Sequence, residues 1–319
     1  MVLVDAIEEF LLDGRAAGWS GRTEKVYGWH LERWRRWLDG REVTELSQLT
    51  RSLVKQWAAG LRDAWAPATC KGATTAIRSF LAWCQKEEFI AVNLAGAVRS
   101  PQVPRKVQRT LKLDELERLI AACETPVEHG LSDEDAVATS VRNAALVTLL
   151  FDSLIRASEL CKLAVSDVDL DAGRLLVRSG KGGDDRIALF SEETAKLLRA
   201  WLALRAAHAV CSAFFVSVRG NTPGQSLTVR GLRIIVKNLG ERAGVAGCSP
   251  HAFRRGGAVA LTRNGAPGRI VMGVAGWSSM RMLETYTRAM ADQDIETAYR
   301  RYSPVATLRA AARGEPQPA

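Results

Sequence analysis

The sequence lacks the features of a membrane-spanning, exported or metal-centred protein. No run of about 18 apolar residues occurs, so no transmembrane helix is expected. The N-terminal stretch MVLVDAIEEFLLDGR carries acidic residues where a signal peptide needs basic ones, which argues against export. The 6 cysteines form no C-x-x-C pair and the 4 histidines form no H-x-x-x-H pattern. We therefore expect reduced thiols, a cytoplasmic location, and neither a metal ion nor another cofactor.

Length and charge indicate a two-domain protein with an anionic partner. A chain of 319 residues that is 47% hydrophobic has room for about two domains with ordinary buried cores. Its net charge is +9, and most of the positive excess lies after residue 100. A basic chain of this kind suits a polyanion such as nucleic acid.

Residues 1–92 are expected to form a helical bundle, because apolar residues recur at three- and four-residue spacing in four segments. The predicted helices are Val2–Arg15, Ser20–Gly40, Leu49–Leu61 and Pro67–Glu88. Tryptophan and arginine are interleaved along the second helix, and Lys71 and Arg78 lie on the fourth. A DNA-binding face is one interpretation. A solvated basic surface over an aromatic core is the other.

Residues 93–110, NLAGAVRSPQVPRKVQRT, have the composition of a linker. Two prolines disfavour a helix, and no acidic residue occurs. The positive side chains of this linker are Arg99, Arg105, Lys106 and Arg109. They are candidates for phosphate contacts along a DNA backbone, and a solvated linker without a ligand is the alternative.

The remaining chain predicts a mainly α structure with a small antiparallel β-sheet, an α+β domain at 111–303 followed by a tail at 304–319. Predicted helices are one capped by Thr110, the buried Val141–Phe151, Ser191–Leu204, Thr228–Arg242, one from Pro250, Ile270–Val274, Met280–Met290 and Asp292–Tyr302. Predicted strands are Val168–Leu170, Leu175–Val177 and Arg186–Leu189, with another at Phe214–Val218. The first three have the pattern of a hairpin followed by a third strand.

Two stretches in this part carry unusual polar residues. Arg156 directly follows a predicted buried helix, with Glu159 one turn further on, so its charge needs Glu159 or a bound anion as partner. Lys181 lies on a glycine-rich turn between two predicted strands, where it could swing toward a ligand. The glycines could equally be simple turn residues.

The stretch from residue 249 to 286 concentrates further candidates. His251 and Arg254 share one face of a helix, Trp277 follows a glycine, and Tyr286 comes nine residues later. Taken alone, any of them could be a core residue. Arg230 and Arg233 on the preceding predicted helix are candidate DNA contacts, with a solvated basic face as the alternative.

These motifs, taken in order, resemble those of the tyrosine recombinase, or phage integrase, family, and in particular its Xer-like members. SLIRASEL resembles the family motif G-L-R-x-S-E-L, and SGKGGDDR resembles its β-hairpin lysine turn. PHAFRR is similar to H-x-L-R-H, AGWSS stands where L-G-H-S-S is common, and ETYTRA resembles T-x-x-Y-T-H. The N-terminal bundle and linker also resemble the family's core-binding domain and junction, so the resemblance covers nearly the whole chain.

The resemblance implies a site-specific recombinase or integrase that works without metal or ATP. Tyr286 would attack the scissile phosphate, form a 3′-phosphotyrosine and release a 5′-hydroxyl. Arg156 and Arg254 would hold the non-bridging phosphate oxygens. Lys181 would protonate the leaving 5′-oxygen.

The remaining matched positions would support this chemistry. His251 would assist proton transfer, Trp277 would donate its indole N–H to the phosphate, and Glu159 would orient the active-site arginine and histidine. The chain departs from the motifs where Arg255 replaces a histidine, where Gly256-Gly257 replaces bulkier residues, and where Ala157 loosens the first motif. Because of these departures, the sequence does not determine how the residues behind the site pack.

The resemblance further implies a clamp around double-stranded DNA and a homo-tetramer on two recombination sites, with a Holliday junction as intermediate. The last predicted helix would dock on a neighbouring protomer, and an accessory protein or partner recombinase could take part. A bacterial or phage-encoded protein at the nucleoid is expected. A type IB topoisomerase and a non-catalytic DNA-binding regulator are the alternatives.

Overall fold

The structure is a computed structural model that describes residues 1–101, 109–124, 132–178 and 185–287. The chain divides into two compact units, Met1–Lys106 and Val107–Ala319. Each unit has its own hydrophobic core. Within the described ranges, no helix combines the length and apolar character that crossing a membrane requires.

The first unit is a bundle of α-helices, which confirms the four predicted helices. They are α1 (Leu3–Ala16), α2 (Gly21–Asp39), α3 (Arg51–Ala64) and α4 (Pro67–Lys86), with short 3-10 turns at Leu46–Gln48 and Ala95–Ala97. Ser20 caps α2 by accepting a hydrogen bond from the backbone N–H of Thr23, and Pro67 opens α4. Local capping chemistry therefore sets these helix starts.

Aromatic residues of α2 divide between core and surface. Trp34 is fully buried, whereas Trp29 is exposed. The Arg33 guanidinium lies 5.2 Å from the Trp29 ring centroid and 4.5 Å from that of Trp65. The tryptophans and arginines of α2 thus serve partly as core and partly as a cationic aromatic surface.

The second unit combines eight described helices with one antiparallel sheet, which confirms the predicted fold class. The helices are α5 (Leu113–Glu124), α6 (Asp133–Asp152), α7 (Ala157–Leu160), α8 (Glu192–Arg205), α9 (Val229–Arg242), α10 (Pro250–Arg263), α11 (Gly268–Ala275) and α12 (Met280–Thr287). The strands β1 (Val168–Asp169), β2 (Arg174–Val177) and β3 (Arg186–Leu189) pair in the order β1-β2-β3. Leu175 lies opposite Val168 on one side and Ala188 on the other.

Two helix starts differ from the prediction. Thr110 does not cap α5, because the Glu115 carboxylate accepts from the backbone N–H of Lys112 at 2.9 Å and the helix begins at Leu113. Helix α6 begins eight residues before the predicted Val141–Phe151 segment. Ser132 caps α6, and three acidic residues in the first turn complement the helix dipole.

The predicted strand Phe214–Val218 is wrong. In the described part of the chain, this region makes isolated bridges at Ala164↔Ala213 and Val216↔Ser226 and a few other backbone hydrogen bonds, but no strand ladder. Its apolar residues pack into the core instead of forming a ladder. The predicted helix Met280–Met290 is described as far as Thr287, and Asp292–Tyr302 lies outside the described residues.

Two adjacent glycines let α10 lie directly against the end of α6. A Cβ on Gly257 would overlap the carbonyl oxygen of Phe151, and one on Gly256 would overlap that of Leu111. Gly256 and Gly257, which replace bulkier residues of the family motif, are therefore the positions where the backbone of α10 contacts the backbone of other segments. This close approach fixes the position of the functional side chains on α10.

Candidate active site

Arg254 is a buried cation that joins three segments of the second unit. It lies one turn into α10, where Pro250 starts the helix, and only 4% of its surface is exposed. Its Nη2 donates to the carbonyl of Ala275 at 2.7 Å, and its Nη1 donates to the carbonyl of Leu154. The guanidinium is thus held between the end of α11 and the segment that leads to Arg156.

Leu154 has an unusual backbone conformation just before Arg156. It stands where the motif G-L-R-x-S-E-L has glycine, and its φ is 53°. A non-glycine residue in this region costs on the order of 1 kcal/mol or more. The Leu154 side chain is fully buried and occupies the space that Gly257 leaves open. Its packing offsets the backbone strain.

Glu159 connects two arginines. Its carboxylate accepts from Arg156 Nη1 at 2.6 Å and from the backbone N–H of Arg156 at 2.7 Å. The same carboxylate receives both terminal nitrogens of Arg186, at 3.1 and 2.9 Å. The predicted Arg156–Glu159 ion pair is present, and it is one half of a three-residue network.

The charge state of this network favours anion binding at Arg156. Burial alone would raise the pKa of Glu159, but hydrogen bonds from Arg186 and Arg156 outweigh it and hold that pKa below its ordinary value. Glu159 therefore stays ionised. The Arg156 side chain is 45% exposed, and its Nε and Nη2 make no hydrogen bond to any residue in the described ranges. These groups are available for phosphate oxygens.

Arg186 is a site residue that motif reading missed. It begins β3, where it shares the inward face with the buried Ala188. Strand alternation was the available signal, because it places an arginine on the core-facing side. Its guanidinium also fills the space beside Gly276, where a Cβ would overlap Nε.

We expect Arg186→Gln to slow DNA cleavage about 10- to 100-fold, because Arg156 would lose its fixed orientation. We also expect a loss of about 2 kcal/mol in the free energy of unfolding, since Glu159 would lose its bidentate partner. Single-turnover cleavage and thermal unfolding measure the two effects. The matched control is Arg174→Gln on β2, whose ion pair with Asp169 is exposed and screened by solvent, so neither quantity should change appreciably. Equal effects of the two substitutions would contradict the prediction.

His251 lies on the first turn of α10 in a field of positive charge. Partial burial and the charges of Arg255, Arg254, Arg233 and Arg156 lower the pKa of its imidazole. The ring is therefore neutral at physiological pH and can accept a proton. The influence of Arg156 and Arg233 also shows that the chain brings these residues near His251.

We expect the His251 imidazole to titrate below its ordinary pKa of 6.5 in the DNA-free protein. Arg233→Gln removes one positive charge and should raise this pKa, which moves the acidic limb of the cleavage profile to higher pH. NMR titration of His251 measures the shift directly. Lys237→Gln, on the same helix, serves as control, and an equal shift there would refute the assignment.

Trp277 packs against the buried arginine. The Arg254 Cζ lies 5.4 Å from the centroid of the indole ring, and the ring is almost fully buried. Gly276 precedes it in a left-handed conformation with φ 63°, which ends α11 and turns the chain. In the structure the indole supports the Arg254 guanidinium through a cation–π contact.

Tyr286 and Lys181 are the two remaining predicted catalytic residues, and the structure describes the helix that carries the first but not the second. Tyr286 lies on α12, which packs against α10 and α11. Leu283 anchors this helix in a small core cluster that contains Trp277 and Leu154. The helix that carries Tyr286 thus shares its packing with the segments that position both arginines. Lys181 lies outside the described residues.

The predicted DNA contacts differ in their surroundings. Exposed side chains are found at Lys71, Arg78, Arg99, Arg230 and Arg233. Arg109 instead pairs with Glu115 at 2.5 Å and donates to the carbonyl of Ala246 at 3.0 Å. Arg105 and Lys106 lie outside the described residues.

A basic groove in the first unit surrounds the predicted DNA contact Arg99. Arg99 lines it together with Arg51, Lys55 and Arg62 of α3. The i, i+4 spacing of Arg51 and Lys55 is a signal that could have identified this face. No acidic residue lines the groove among the described residues, so it suits a polyanion.

The arrangement in the second unit has the chemistry of a phosphodiester site. One exposed and one buried arginine, a neutral histidine and an ionised glutamate lie on packed neighbouring segments. Arginines stabilise the charge of a transferring phosphoryl group, and the histidine can move a proton. A phenolic nucleophile on the adjoining helix would complete the set.

Comparison with known proteins agrees with this chemistry. Residues 109–293 match the Phage integrase family. Tyrosine recombinase XerC of Mycobacterium tuberculosis (strain H37Ra) is 31% identical over 288 residues, which cover 89% of this chain and 93% of that protein.

Solved structures share the fold at lower identity. The XerH site-specific recombinase bound to a palindromic difH substrate aligns with TM-score 0.69 and 19% identity, over 86% of this chain and 79% of that one. A lambda integrase tetramer bound to a Holliday junction aligns with TM-score 0.66 and 16% identity, over 90% and 77%.

Proposed function

The chain belongs to the phage integrase family of tyrosine-type site-specific recombinases, which break and rejoin DNA strands, and we propose how its residues carry out this reaction. Tyr286 is the nucleophile. Its phenolic oxygen forms a bond to the scissile phosphorus while the bond from phosphorus to the 5′-oxygen breaks. The product is a 3′-phosphotyrosine and a free 5′-hydroxyl. Attack by a 5′-hydroxyl reverses these steps and reseals a strand without an external energy source.

The two arginines stabilise the charge that develops on the phosphate. Arg156 contributes its exposed N–H groups, and the Glu159–Arg186 pair holds it in place. Arg254 contributes a buried positive charge fixed by two carbonyls. The network around Glu159 is the observation that carries this proposal, because it orients Arg156 and leaves its remaining donors available.

Proton transfer falls to the remaining matched residues. His251, neutral because of its burial and positive neighbours, accepts a proton during attack by the phenol. Lys181 protonates the leaving 5′-oxygen. Trp277 supports Arg254 and donates its indole N–H to the phosphate once DNA is bound.

The two parts of the chain divide the work of binding and chemistry. Residues 1–92 form the core-binding domain, residues 93–110 the linker, and residues 111–303 the catalytic domain before the tail. One region of the DNA site is held through phosphate contacts from Lys71, Arg78 and the groove that contains Arg99. A second region of the DNA is contacted by Arg230 and Arg233 on α9.

The proposed assembly on DNA is based on the assemblies in related solved structures. The lambda integrase structure is a tetramer on a Holliday junction, and the XerH structure holds its recombination site. By analogy, four copies of this chain act on two double-stranded sites and pass through a Holliday junction. Residues 292–302 dock on a neighbouring copy, and a partner recombinase can replace some of the copies. The protein acts in the bacterial cytoplasm, at the nucleoid.

Covalent capture and strand exchange test the proposal together. The full chain is incubated with nicked duplexes taken from DNA beside its coding region, and adducts are detected on a denaturing gel. We expect an adduct, and we expect exchange between two copies of the same site. Relaxation of supercoiled DNA without exchange would favour a topoisomerase. Sequence-specific binding that never yields an adduct would favour a regulator.

A further inference from the structure

A second cationic cavity lies in the second unit, and none of the matched catalytic residues lines it. It has a volume of ≈ 680 Å³ and is bounded by α6, α9 and the segment 217–222. Four arginines line it, namely Arg142, Arg219, Arg230 and Arg242. No acidic side chain is among the described residues of its wall. Its volume lies within the range of small-molecule binding sites.

Arg142 is the innermost of these cations. It is 5% exposed, and its guanidinium donates to Asn143 Oδ1 at 2.9 Å and to the carbonyl of Val216 at 3.3 Å. Both acceptors are neutral, and no carboxylate of the described residues pairs with it. Burial lowers the pKa of Arg142 to about 10. Burial likewise raises the pKa of the neighbouring Cys123 thiol to about 12, so this group supplies no negative charge at neutral pH.

A second observation places an unsatisfied polar atom on the same wall. Thr139 precedes Arg142 by one turn of α6 and also lines the cavity. Its Oγ1 is buried and finds no hydrogen-bond partner in the part of the chain that the structure describes. A buried cation without a counter-charge and a buried hydroxyl without a partner both cost free energy. An anion with several acceptor oxygens would remove both costs.

We propose that this cavity binds a phosphate-bearing ligand, with Arg142 as its innermost contact. Arg142 and Arg230, which both line the cavity, favour an oxyanion, and arginine matches phosphate oxygens with paired donors. The volume exceeds that of one phosphate, and Ile234 and Leu239 provide an apolar wall for an attached group. The phosphate belongs either to a free small molecule or to a DNA backbone, since Arg230 is also a predicted DNA contact.

Pyrophosphate is the probe, measured by calorimetry and thermal unfolding on the full chain. A hundredfold excess over Kd should raise the unfolding midpoint of the wild type by about 5 °C. Arg142→Met should bind pyrophosphate at least about tenfold more weakly. Without the ligand it should unfold at a lower temperature than the wild type, because the buried acceptors of Asn143 and Val216 lose their donor, so its response to pyrophosphate is measured from its own midpoint. Lys237→Gln, a surface change on α9, should respond like the wild type.

Ser140→Asp provides an independent variant in case Arg142→Met fails to fold. Ser140 is half-buried on the cavity wall, so the new carboxylate should compete with the ligand and abolish the response. A full response in this variant, or in a folded Arg142→Met, would overturn the proposal. The proposal would also be overturned if pyrophosphate no longer raised the unfolding midpoint of Arg156→Gln but still raised that of Arg142→Met. That result would place the anion in the candidate active site.

Competition with DNA separates the two sources of phosphate. If duplex DNA displaces pyrophosphate from the Arg156→Gln variant, the cavity receives a backbone phosphate. If both bind together, it receives a free phosphorylated molecule. Either result supports a phosphate site at Arg142, whereas the outcomes above reject it without affecting the proposed cleavage chemistry.

Discussion

Tyr286→Phe is expected to abolish covalent attachment of the chain to DNA. The substitution removes only the phenolic oxygen, which in the proposed mechanism is the atom that bonds to the scissile phosphorus. DNA binding and the free energy of unfolding should stay near the wild-type values, because the ring is retained. The measurement is adduct formation with a nicked suicide duplex, with binding followed separately by gel shift.

The controls for this prediction are two later tyrosines. Tyr299→Phe and Tyr302→Phe should both form the adduct at wild-type levels. The choice of Tyr286 rests on the motif ETYTRA and on its helix, since Leu283 anchors α12 in the cluster that contains Trp277, which itself contacts Arg254. An adduct formed by Tyr286→Phe would show that another residue is the nucleophile.

Gly257→Ala is expected to destabilise the second unit by about 3 kcal/mol or more. The added Cβ would overlap the carbonyl oxygen of Phe151 and the side chain of Leu154, and the carbonyl belongs to a helix that cannot shift alone. Any α10 that still folds would move Arg254 away from its two carbonyl acceptors. DNA cleavage should therefore fall at least about 100-fold even below the unfolding temperature.

A second helical glycine gives a matched control. An added Cβ on Gly273 of α11 would meet no atom within 4 Å. Gly273→Ala should therefore stabilise the protein by up to about 1 kcal/mol, as alanine does in an open helical position. Thermal unfolding of both variants measures the difference. Equal stability of the two would mean that α6 and α10 are not in close contact.

Much of the secondary structure could be predicted from local chemistry. The helices predicted to begin at Ser20, Ser191 and Thr228 do begin there, each capped by that residue, and β3 has the predicted bounds. Errors arose where the local signal was incomplete. The apolar run at Phe214–Val218 indicated burial correctly but not the lack of a partner strand, because a ladder depends on a second segment.

By itself, the sequence determined the family, the mainly α class and a set of residue types suited to a phosphate, because motif spacing and caps are local properties. Only the tertiary structure decided how those residues are held. Arg186 reaches Glu159 across 27 positions, and Arg254 reaches Leu154 across 100. Such contacts exist because Gly257 lets two helices approach and Leu154 fills the space left beside it. Close packing between distant segments leaves no periodic signal in the chain.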